Sequence, residues 1–207
     1  MVRAMPTPGE RLVSLVRAEP PDAAAIADFL DRLAPGARRE AIAALSGPRL
    51  QRRLYEAVAG RPPVTLAELV PPDAPPLREV LFHGKNSLPA FTHFQKRFCR
   101  PPRNGAAAEL WGYNHQSLAW LTGPGYFVVH EEPARGAAID YRAVPPQRCP
   151  TWPPSWPPVK PNDVGFSRLV YRDMVDYLRR VGRDVFIGSA HRDGKELGNY
   201  FVLSRDG

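Results

Sequence analysis

The chain has 207 residues, 43% hydrophobic and 24% charged, enough for one domain of ordinary size or a small domain with a helical appendage, and too apolar to be broadly disordered. No run approaches the roughly 18 apolar residues that span a bilayer, and the segment from Met1 to Pro6 lacks the apolar core of a signal peptide. The two cysteines, Cys99 and Cys149, build neither a disulfide framework nor a metal-ligand spacing, so a cytoplasmic protein with reduced thiols is expected. Most of the net charge of +7 sits beyond residue 76, and most of the basic residues are arginine. No RNP, zinc-finger or Gly-rich phosphate motif accompanies it, so it points to a solvated basic surface rather than to nucleic acid.

Short helices come first. Leu12, Leu15 and Val16 share one face of a helix over 8–18. Asp22 caps a second, in which Ala23, Ile26, Ala27, Leu30 and Leu33 fall at helical spacing. Pro35-Gly36 breaks that helix, a third runs over 37–45, and a fourth over 49–59 carries Leu50, Leu54, Tyr55 and Val58 and stops at Gly60. Residues 1–61 thus form a helical segment. Residues 62–76 are a proline-rich connector around a short turn from Thr65 to Leu69, and the boundary of a β-barrel domain over 77–207 is placed there.

Strand patterns follow. Leu77 to His83 reads as a first strand ended by Gly84-Lys85-Asn86. Ser87 then caps a short helix with Leu88, Phe91, Phe94 and Phe98 on one face, because a strand over the whole run would scatter these residues to both faces. Leu110 to Trp120 is a strand with Trp111, Tyr113, His115 and Ser117 on one side, followed by a tight turn from Thr122 to Gly125. Tyr126 to Glu132 and Ala137 to Val144 make a hairpin across Pro133 to Gly136.

Residues 145–161 repeat Trp152-Pro153-Pro154 as Trp156-Pro157-Pro158, the pattern of a polyproline strap whose tryptophans pack on the barrel or close a cavity mouth. The run 166–181 fits a helix or two short strands about Asp173, and the strand reading is preferred because it hides the edges of the sheet. Val185 to Ala190, the turn Asp193-Gly194-Lys195 and Tyr200 to Leu203 close an antiparallel sheet. The fold class is α+β, short helices followed by an antiparallel barrel.

The series Phe82-His83-Gly84-Lys85, Ile139-Asp140-Tyr141, Arg179-Arg180-Val181 through Ile187-Gly188, and Tyr200 to Leu203 resembles small bacterial barrel proteins of the Gly-x-Trp-x-Gly kind, over about residues 80–205. Phe82-His83 stands where that pattern has its tryptophan, and residues 1–76 have no counterpart in it. Such families are similar in fold to calycins and lipocalins. The resemblance implies a barrel with a cavity and no particular activity.

A small closed barrel has room for side chains or for one small ligand. A small apolar or amphipathic molecule is therefore the expected partner, lined by Trp111, Tyr113, His115, Tyr126, Val128, Tyr141, Phe186 and Tyr200. Lys85, Asp140 and Arg179 are the expected polar cluster, since a buried carboxylate requires a paired charge. His83, His93, His115, His130 and His191 stand at no zinc spacing. A barrel enzyme or a haem binder using His115 or His130, with Asp140, is one alternative. A protein–protein interaction module using the helices and the strap is the other. No Gly-x-Ser-x-Gly elbow is present, and the residues assign no cofactor.

Overall fold

The computed structural model describes residues 5–89, 92–102, 108–115, 123–146, 153, 155–163 and 167–206. Expectations on Phe91, Ser117, Trp120, Thr122, Cys149, Trp152 and Phe166 lie outside the described residues.

Helix α1 (Pro8–Arg17) begins with a reciprocal cap, the Thr7 amide donating to Glu10 Oε2 at 2.8 Å and the Glu10 amide to Thr7 Oγ1 at 3.2 Å. Helix α2 (Ala23–Arg32) is capped by Asp22, whose Oδ1 accepts from the amides of Ala24 and Ala25. Proline occupies the first turn of α3 (Pro35–Ala43) and α4 (Pro48–Ala57), where a missing amide costs nothing. Leu12, Ile26, Leu30, Ile42, Leu54 and their neighbours form one apolar cluster with Val181, Val185, Ile187, Tyr200 and Val202 of the sheet. The helices therefore bury their apolar stripes on the outer wall of the barrel.

The strands are β1 (Val80–Asn86), β2 (His93–Cys99), β3 (Leu110–His115), β4 (Tyr126–Glu132), β5 (Gly136–Asp140), β6 (Met174–Gly182), β7 (Val185–Arg192) and β8 (Lys195–Arg205). Each pairs antiparallel with the next, and β1 pairs with β8, closing the ring. The architecture is the α+β, calycin-like barrel expected. Asp193 and Gly194, at φ 50° and 75°, form the two-residue turn between β7 and β8.

Register fixes what points inward, because residues directly opposite each other share a face. Gly84 lies opposite Phe94, Gly112 opposite Phe127, and Gly188 opposite Phe201. At each pair the ring lies over the glycine so closely that a Cβ would come within 2.5, 2.3 and 2.1 Å of it. Cross-strand rings laid over glycine line the interior and set the register at once. Further rings continue the packing: Phe82 meets Phe98 at 5.3 Å and Phe186 at 5.9 Å, and Phe98 meets Phe127 at 5.4 Å.

Three expectations are corrected. Residues 93–99 are strand β2 rather than helix. A spacing of four keeps Phe94 and Phe98 on one face of a strand as well as of a helix, and Lys96 between them points the same way. Ser167–Tyr171 is a short helix, α6, and only the second half of the run, from Met174, is strand, with Asp173 at φ 56° where the two meet. The turn expected at Thr65 is helix α5 (Leu66–Leu69), with its own reciprocal cap between Thr65 and Glu68. Val64, Leu66, Leu69 and Val70 enter the interior cluster, and the Leu66 amide donates to Glu131 at the β4 end. Helix α5 thus closes the end of the barrel at which β1 starts. Toward the other end, Tyr171 of α6 stacks on Tyr141 at 5.1 Å.

Candidate functional site

Strand β2 turns Lys96 inward between Phe94 and Phe98, where its side chain is 2% exposed. Nζ donates to Asn114 Oδ1 of β3 at 3.0 Å, to Asp176 Oδ2 of β6 at 3.3 Å, and to the Tyr141 hydroxyl just beyond β5. Three acceptors are the full complement of an ammonium. The rings of Phe201, Phe127, Tyr141 and Phe94 surround it at 4.8, 5.0, 5.0 and 5.7 Å, which favours the cation through their π-faces. The Tyr141 hydroxyl donates to Asp176 Oδ2 at 3.2 Å and accepts from Asn114 Nδ2 at 3.1 Å, while Asn114 Nδ2 also lies 3.4 Å from the Gly125 carbonyl.

Burial pushes the Asp176 carboxyl above its usual range and the Lys96 amine below its own, each opposed by the charge of the other. Burial, reinforced by Asp176, pushes the Tyr141 phenol well above its usual value, so it stays a donor. The Asp176 side chain is 2% exposed, and its Oδ1 has no partner among the described residues. The cluster therefore retains one unused valence, and it is an acceptor.

No protein family, curated protein or solved structure matches this chain. What the site can do is read from its own residues.

Of the residues expected to line the interior, Tyr141 belongs to this cluster and Phe186 packs on Phe82 inside the barrel. Trp111, Tyr113, His115, Tyr126, Val128 and Tyr200 stand on the opposite, outward register. Trp111, Tyr113 and Tyr126 cluster there with Cys99 and Trp156, whose ring lies 4.9 Å from that of Tyr113. The strap is anchored by the Trp156 indole, which donates to Glu79 Oε2 at 2.7 Å, and by its Pro157 carbonyl, which accepts from the Tyr126 hydroxyl. Tyr200 meets Tyr55 of α4 at 5.5 Å. Alternation separates two faces without saying which is inside, and here helices and strap bury much of the outer face as well.

Lys85, Asp140 and Arg179 are not brought together. Asp140 pairs with Arg142 at 2.8 Å, Arg179 lies over the Tyr55 ring, and Lys85 of β1 points outward on the far side of the ring from β5. Among the histidines, His83 Nε2 lies 3.6 Å from Asp206 Oδ2 and His130 Nε2 3.6 Å from Glu132 Oε1, and His115 and His130 sit on the outward register. The described residues contain no group of three or more His, Cys, Asp or Glu able to hold a metal ion. Lys96, Asn114 and Asp176 escaped the sequence reading. For Lys96 the signal was Phe94-Gln95-Lys96-Arg97-Phe98, which as a strand places a lysine on the phenylalanine face.

Proposed function

We propose that the chain binds one small amphipathic molecule within the barrel, apolar or aromatic in its body, with a hydrogen-bond donor turned toward Asp176. The observation that carries this reading is the bare Oδ1 of a carboxylate 2% exposed to solvent, beside a lysine whose three donors are all engaged. Leaving such a group unpaired costs about 1–3 kcal/mol or more. Apolar side chains of similar volume would serve a core as well as this buried pair, or better. A ligand hydroxyl or N–H donated to Oδ1 supplies the missing partner. Its body would be held by ring faces and by apolar area removed from water, at roughly 25 cal/mol per Å². The resemblance to calycin-like barrels belongs to the same reading.

The test has two stages. The folded full-length protein is extracted and the extract examined by mass spectrometry, then the protein is titrated with 2-naphthol and with naphthalene while its intrinsic fluorescence is followed. Saturable binding of naphthol is expected, and Asp176→Asn should weaken it about tenfold, as loss of a charge-assisted hydrogen bond implies, with little change for naphthalene. Failure of the extract to contain any apolar molecule, together with no saturable binding of either probe, overturns the proposal.

A further inference from the structure

The outward register of β6 and β7 carries a second constellation, independent of the barrel interior because Tyr177, Arg179 and His191 alternate with the inward Asp176, Leu178 and Ala190. Arg61 and the Pro62-Pro63 step face Arg135, Arg179 and His191 across an open groove of about 270 Å³. Two of its guanidinium groups are held by ring faces. Arg179 Cζ lies 3.7 Å over the Tyr55 ring while its NH1 donates to the Tyr55 carbonyl at 2.7 Å. Arg135 Cζ lies 4.6 Å over the Tyr177 ring, and its guanidinium makes no hydrogen bond or ion pair with the described residues. Stacking fixes the plane of a guanidinium and leaves its in-plane N–H groups for an oxyanion.

The carboxylate that borders the groove is already engaged. Glu196 Oε1 accepts from Ser189 Oγ at 2.8 Å and from the Tyr200 hydroxyl at 2.7 Å. Ser189 has a single proton, so toward His191 Nε2, 3.3 Å away, its oxygen is the acceptor, and the ring carries its proton on Nε2. Three arginines against one carboxylate leave the groove with an excess of positive charge suited to a dianion. Its volume exceeds what bare phosphate fills, and the prolines and Tyr177 supply an apolar side for an organic group.

We propose that this groove binds a phosphate monoester, its oxyanion between Arg135 and Arg179 with Arg61 completing the positive wall, and its organic part against Pro62-Pro63 and Tyr177. His191 is a built-in reporter. Burial lowers its proton affinity, Arg135 and Arg179 lower it further, and Glu196 opposes them. Tyr55, Tyr177 and Tyr200, which also face it, are ordinarily neutral phenols. A dianion held between the two arginines cancels part of their effect and raises the pH at which the imidazole titrates.

The experiment is a calorimetric titration of the full chain at pH 8 and physiological salt with phenyl phosphate, with inorganic phosphate and benzoate as comparisons, alongside an NMR titration of the histidines. Saturable binding of phenyl phosphate is expected, at least tenfold tighter than benzoate, weakened at least tenfold by Arg135→Gln and by Arg179→Gln, with an upward-shifted His191 titration. Arg135 is exposed, so R135Q keeps the test valid even where Arg179→Gln disturbs the contact with α4. Absence of saturable binding overturns the proposal. So does binding that both substitutions leave unchanged, which would be unspecific attraction to a basic chain.

Discussion

Asp176 inside the barrel and Glu196 on its outer wall are each held by two donors, yet their proton affinities move in opposite directions. Burial raises Asp176, and the neighbouring Lys96 only partly opposes it. Burial also works to raise Glu196, but donation from Tyr200 and Ser189 outweighs it and the carboxyl ends below its usual range. Outside, water still reaches the residue and hydrogen bonds decide. Inside, the lost water is not fully replaced even by a paired cation and a phenol. The same divide separates the cations, since Lys96 and Arg179 both lie against tyrosine rings but Lys96 alone is sealed among four rings.

The sharpest way to break this comparison is to remove one charge from each region. Asp176→Ala leaves a buried ammonium without its carboxylate and should cost about 3–5 kcal/mol in urea unfolding, largely recovered in the double variant with Lys96→Met. Arg179→Ala should cost about 1 kcal/mol or less. Equal losses would show that the interior pair is no more committed than the surface one. Next in size is Gly188→Ala, which places a Cβ 2.1 Å from the Phe201 ring that flanks Lys96, with an expected loss of about 1–3 kcal/mol by overpacking.

The smallest effect concerns pH. Asp176, raised in the folded state, contributes most below its unfolded value, and that contribution is lost as pH rises through the folded one. Glu196, lowered in the folded state, contributes above the usual carboxylate range and loses that contribution on acidification. Asp176→Asn should therefore gain on the wild type as pH rises, whereas the deficit of Glu196→Gln, under about 1 kcal/mol for so exposed a residue, should fade as pH falls below about 4. Urea titrations between pH 3 and 8 check both slopes, and slopes of the same sign would contradict the comparison.

Caps, turns and periodicity made much of the fold legible: Asp22 before an apolar stripe and Asp193-Gly194 between two β-rich runs, whereas Pro35 and Pro48, read as standing before helices, lie in their first turns. Inside and outside were harder to tell apart. Trp111 and Tyr113 alternate as cleanly as the lining residues of a cavity, but the strap covers them, and the outer wall carries buried apolar clusters of its own. Lys96 was missed because a lysine between phenylalanines reads as the wet side of a helix. Only the cross-strand partners in β3 and β6 reveal that it has Asn114 and Asp176 to bond. Such partners come from elements distant in sequence, and no local pattern announces them.

Helix α5 precedes every strand whose open end it covers. Its four residues are too few to hold a helix alone, so the stopper's chain leaves the ribosome before β1 but takes its shape only when the strands supply a surface for Leu66 and Leu69. Pro71-Pro72 and Pro75-Pro76, between stopper and sheet, narrow the set of directions in which β1 can leave it, since each ring fixes a φ angle.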